Sequence, residues 1–199
     1  MEKQNLVRYL AVVGLLGAIL FALLWISAVI VDGNWILGEE TLSELGGDRP
    51  GRLYFNTGVI AMGVMGLFFA FGLFLMFKKD LLGRIGTVVL IIGAFALIGV
   101  GVFPITTGVY HTFFSYAFFG LMLITLLLLT IPIWRESRLG PVGGLVTAGG
   151  LAVSLMFLFT TSIPLTEAVA VICLLIWTVT ISSLILTLPL RKKNLFTRA

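Results

Sequence analysis

Six long apolar runs, each free of Asp, Glu, Lys and Arg, mark the chain at residues 9–31, 53–77, 85–103, 112–134, 142–161 and 168–190. A helix needs ~20 apolar residues to cross the hydrocarbon core, and every run is near or above that length. The ten-residue segments of alternating polarity that build a membrane β-barrel are absent. The pattern predicts an all-α integral membrane protein: six transmembrane helices in one bundle, forming a single domain over residues 1–199. The first run is too long for a signal peptide and is followed by no convincing small-x-small cleavage site, so a retained helix is expected.

Composition agrees. The chain is 59% hydrophobic and 11% charged, against about a quarter charged in soluble domains, which excludes a water-soluble fold. Glycines at 58, 63, 66, 72, 93, 140, 144 and 150 lie in or beside the runs, where small residues let helix backbones approach. A single cysteine, Cys173, excludes an internal disulfide and a multi-cysteine metal site. No metal and no cofactor is expected.

Charge gives the runs a direction. In a six-span arrangement 11 basic residues fall on one side (Lys3, Arg8, Lys78, Lys79, Arg84, Arg135, Arg138, Arg191, Lys192, Lys193 and Arg198) and 2, Arg49 and Arg52, on the other. Positive loops stay cytoplasmic, so both termini are expected inside, in a multi-pass protein of the plasma membrane. The net charge of +4 is spread over short loops. It is no nucleic-acid footprint, and the expected partners are membrane lipids. The 191–193 basic cluster suits an inner-leaflet anchor.

Unusual polar residues gather on the expected outer side. Residues 32–52 carry five acids and two arginines. Within them Thr41 and Glu44 have capping-box spacing and Gly46 suits a helix stop, so a short helix is expected over the membrane surface. Asp48-Arg49-Pro50 resembles a helix start. Arg52 and Asn56, four apart, share a face of the second span. Tyr110 and His111, the only histidine, enter the fourth span, with Ser115 one turn deeper. Glu167 opens the sixth. Glu44, Arg52, Asn56, Tyr110, His111 and Glu167 are therefore the candidate ligand-binding set. Inside the spans, hydroxyls such as Thr125, Thr178 and Ser183 can bond back to their own helices.

Ser43-Glu44-Leu45-Gly46, Arg52-Leu53-Tyr54-Phe55-Asn56 and Gly101-Val102-Phe103-Pro104 with His111 following resemble the domain-of-unknown-function-998 membrane family over nearly the whole chain. The family often opens its last helix with a Glu-Arg pair. Here Glu167 matches the acid and Ala168 stands in place of the arginine. The resemblance implies a polytopic membrane fold and names no activity.

Each candidate also has a structural use. Glu44 can close its own capping box, Glu167 suits a helix N-terminus, Arg49 and Arg52 can pair with Asp48 or lipid phosphates, and His111 can hydrogen-bond at a helix end. The leading functional expectation is an outward-facing pocket for a lipid or small amphiphile, with Arg52 on an anionic headgroup. An alternative is a hydrolase-type enzyme with His111 as base, Glu44 or Glu167 orienting it, and Ser115 or water as nucleophile. Others are a small-solute transporter, for which no ionisable residue inside the six runs speaks, and a structural or partner-binding protein.

Overall fold

Runs of about twenty residues without a charge leave the backbone no partner in lipid except itself, so each closes into a helix. The computed structural model describes residues 2–187. Its long helices are α1 (Glu2–Asp32), α2 (Arg52–Met76), α3 (Leu81–Val102), α4 (Val109–Arg135), α5 (Gly140–Thr160) and α6 (Ile163–Thr187). All six are long and apolar enough to cross a membrane. The described residues form no strand. The end of the run expected at 168–190 and the basic residues 191, 192, 193 and 198 lie outside the described residues.

Each helix packs on its chain neighbours, and α6 returns to α1, so the six form a closed ring. Near the described chain ends the Arg8 guanidinium donates to the Leu186 carbonyl at 2.8 Å, joining α1 to α6. The α1–α2 seam is tight because glycine removes the side chain where backbones cross. A Cβ on Gly51 would lie 2.5 Å from the Ala28 carbonyl oxygen, and one on Gly72 would lie 2.9 Å from Leu10 Cβ. Trp177 on α6 is buried near the ring's centre, edge-on to Phe69, with its indole N–H donating to Thr147 at 2.9 Å.

Two helix starts differ from expectation. Pro50 precedes the first turn of α2, because Gly51 is the N-cap residue there. The start of α6 lies at Ile163 rather than 168, since Pro164 is tolerated in a first turn where no backbone N–H is needed. Glu167 consequently lies inside a membrane-length helix, not at its mouth.

The short helix of the first long loop is a 3-10 turn, η1 (Leu42–Gly46). It does not lie over the surface. Leu42 and Leu45 are fully buried, and η1 meets α1, α2, α6 and a second 3-10 turn, Ile105–Thr107. It plugs one end of the ring. Burying two leucines contributes about 3–6 kcal/mol, more than any one of its hydrogen bonds at about 1 kcal/mol each. Apolar insertion thus holds η1 in place, and the polar contacts set its orientation. Gly46 is needed here for space rather than for a helix stop. A Cβ on it would run into the Asn56 side chain, with Phe55 Cδ1 at 3.0 Å, and the capping residue is Gly47, at φ −78°.

Candidate functional site

The plug is fastened from three sides. Within it the Thr41 N–H donates to the Glu44 carboxylate at 2.7 Å, the capping-box contact that the Thr-x-x-Glu spacing implies. From α2, Asn56 donates to the Gly46 carbonyl at 2.9 Å. From α6, Glu167 accepts twice: from the Ser43 hydroxyl on Oε1 at 2.7 Å and from the Leu42 N–H on Oε2 at 3.1 Å. Ala168, where the family's arginine would stand, is buried. Among the described residues no basic side chain pairs with Glu167.

The loop ahead of η1 is held by charge. Arg49 donates to Asp32 at 3.2 Å and to both oxygens of Glu40, so its partners are those two acids rather than Asp48. The hydrogen bond to Arg49 holds the Glu40 carboxyl below its usual value, and the same contact raises Arg49.

Beneath η1 lies a cavity of about 340 Å³ between α4, α5 and α6. One face of α4 lines it, His111, Ser115, Phe119, Met122 and Leu126, at the three- and four-residue steps that stack side chains on a helix. That stretch of helix rises roughly 22 Å along its axis, most of the ~30 Å hydrocarbon thickness. The end under η1 is polar, with Thr41, Ser43, Glu167, His111 and Ser115, and the deep end is apolar, with Met122, Leu126 and Leu174. The lining residues that reach the surface are Thr112 and Tyr116 on α4, and Leu158, Thr161 and Ile163 opposite them. With Tyr116 73% and Leu158 49% exposed, the opening faces sideways between α4 and α5, and η1 roofs it from above.

His111 is buried and uses both ring nitrogens. Nδ1 lies 2.8 Å from the Phe103 carbonyl and Nε2 lies 3.2 Å from Ser115 Oγ. A carbonyl can only accept, so Nδ1 carries the proton. In the neutral ring Nε2 is then an acceptor, and Ser115 donates to it. Base, hydroxyl and orienting group are thereby in line on the cavity wall.

The candidate set divides. His111, Ser115 and Glu167 meet at one cavity. Glu44 and Asn56 serve η1 itself. Arg52 does not join them: its side chain is 64% exposed, 3.5 Å from Asp48, so the two positions expected to share a face have separate surroundings. Tyr110 is also turned outward, 64% exposed and stacked on Phe103 at 5.7 Å between centroids. Polar cavity residues outside the set expected from the sequence include Thr41, Ser43 and Ser154. Ser43 had a signal, since it opens the Ser43-Glu44-Leu45-Gly46 motif. Ser154 had none, one serine among apolar neighbours. Thr125, expected to bond back to its own helix, instead has a buried hydroxyl without a partner among the described residues.

Comparison with curated proteins and with solved structures yields no match. One family model, described as protein of unknown function (DUF998), matches residues 15–184. Motifs spread from η1 to α6 and a match over most of the length lead to one statement of kinship: the chain belongs to the DUF998 family of membrane-type helical proteins.

Proposed function

We propose that the chain binds a lipid or other small amphiphile in the cavity under η1, with that face outward, both termini cytoplasmic, and the ligand entering from the bilayer between α4 and α5. One observation carries this reading: a cavity of about 340 Å³ polar at one end, apolar at the other and open on the membrane flank. Small-molecule sites range over ~300–1000 Å³, so the space suits one tail rather than two. Apolar walls accept the tail, and the His111, Ser115 and Ser43 groups supply hydrogen bonds to a head. The imbalance of basic residues across the six spans favours the outward orientation of η1. The test is to purify the protein from membranes in a mild detergent and extract what it carries. A single-chain amphiphile at near-stoichiometric amount, lost in a cavity-filling Ser154→Phe protein of unchanged melting temperature, is the expected result. Equal amounts of bulk lipid on both proteins would contradict it.

A second reading rests on the Ser115–His111–Phe103 alignment. In an ester hydrolase Ser115 Oγ would attack the carbonyl carbon as its proton passes to His111 Nε2. That proton then goes to the departing alcohol, and water, deprotonated by the same nitrogen, releases the acid from the acyl-serine. Turnover of long-chain esters that vanishes in Ser115→Ala, while binding persists, would favour this reading. Binding without turnover would leave the first alone.

A further inference from the structure

We infer that the headgroup taken by this cavity is a cation, a protonated long-chain amine or a related ammonium amphiphile, held against the carboxylate of Glu167. The inference rests on the amphiphile-site reading and adds the ligand's charge to it.

Glu167 accepts a hydrogen bond on each carboxylate oxygen, from Ser43 Oγ at 2.7 Å and Leu42 N–H at 3.1 Å. Donors at both oxygens stabilise negative charge on this carboxyl, and a cation beside it would stabilise it further. Yet among the described residues no lysine or arginine pairs with it. Among the described residues no lysine or arginine lines the cavity either. The two arginines at that end are committed elsewhere, Arg49 to Asp32 and Glu40 and Arg52 to Asp48. His111 in its neutral form has both nitrogens occupied. A charge withdrawn from water without a partner is costly, and one partner of opposite sign recovers much of that cost.

The rest of the lining points the same way. Each carboxylate oxygen keeps further lone pairs free to accept, and the Ser43 and Ser115 hydroxyls can accept as well as donate. Tyr116 and Phe119 add aromatic rings, whose faces attract cations. An anionic head would meet Glu167 with no positive charge to offset it. The anionic headgroup on Arg52 that the sequence suggested has no support here, because that guanidinium is exposed and outside the cavity.

The experiment compares three probes of one chain length, dodecylammonium, dodecanol and dodecanoate, titrated into the wild-type protein in a non-ionic detergent at neutral pH. Ser154→Phe serves as the control for partition into micelles. Dodecylammonium is expected to bind at least about tenfold more tightly than dodecanol, with dodecanoate weakest. Glu167→Gln should bring the amine down to the level of the alcohol measured on the same protein. If that protein does not fold, the wild-type series decides. Ser43→Ala, which keeps the carboxylate, should retain the order. Alcohol or carboxylate binding as tight as the amine, each sensitive to Ser154→Phe, would overturn the cationic head and leave the amphiphile site standing. No binding sensitive to Ser154→Phe with any probe would remove the site itself.

Discussion

The α1–α2 and α4–α5 seams are built from the same materials, apolar helices with glycines, and end differently. Along α1–α2 glycines meet neighbours at both ends: Gly51 against Ala28, Gly58 against Leu24, Gly72 against Leu10. Along α4–α5 the close glycines sit only at the end away from η1, where a Cβ on Gly143 would lie 3.0 Å from Ile133 and one on Gly144 3.0 Å from Trp134 Cβ. Toward η1 the partners become Ser115, Tyr116, Ser154 and Leu158, and the helices part around the cavity. Helices in lipid gain no hydrophobic drive from touching, so a seam closes only where small residues allow dense packing. The ring is therefore sealed along one seam and open along part of another.

Steric crowding should show the sharpest contrast. Gly51→Val is expected to destabilise the fold by about 3 kcal/mol, because the new side chain meets the Ala28 backbone rather than a flexible tip. Gly150→Ala, whose Cβ meets only Cys173 at 3.9 Å, should be neutral or stabilising by up to ~1 kcal/mol. Melting temperatures in detergent compare the two, and equal losses would erase the distinction between a glycine at a close backbone crossing and one in open space.

Filling the open seam is the next test. Ser154→Phe should cut amphiphile affinity by at least about tenfold with little loss of stability, since the ring enters existing space. Equal affinity with a filled cavity would move the ligand elsewhere.

Smaller effects belong to the roof. Asn56→Ala removes one hydrogen bond to Gly46 and should cost about 1 kcal/mol, read as faster amide exchange across residues 42–46. Unchanged exchange would show that η1 is held without the Asn56 contact.

The smallest effect is one of pH. Glu40 is held below its usual value in the folded protein by Arg49. Its contribution is therefore fully present above the ordinary carboxylate value and is lost only as pH falls through the lowered folded value. Protease sensitivity of residues 33–41 should rise on acidification through that window, and in Glu40→Gln it should be high and flat. A wild-type response above the ordinary carboxylate range would assign it to another group.

Much of the fold was legible because the membrane imposes length and apolarity on each helix independently of its neighbours. The His111–Ser115 contact was legible for a similar reason, since four-residue spacing on a helix makes them neighbours. The insertion of η1 was not. Leu42 and Leu45 are two apolar residues in an acidic loop, too few to show a period, and only the shape of the ring's end explains their burial. Arg52 misled because residue type gives charge but not direction. Glu167 was placed too shallow because Pro164 reads as a boundary when it in fact occupies a first turn. The cavity itself has no local signal at all. It is space left between three helices, and its lining residues come from positions as distant along the chain as Thr41, His111 and Leu174.

The central claim is that an amphiphile occupies the α4–α5–α6 cavity rather than the ring's outer surface. A photoreactive single-chain amine, crosslinked to the protein in bilayers and mapped by mass spectrometry, addresses it directly. The account predicts adducts on Ser115, Phe119 and Leu158, competed by unlabelled amine and absent from Ser154→Phe. Adducts spread over lipid-facing residues such as Phe71 and Phe95, unaffected by competitor or by filling the cavity, would contradict it.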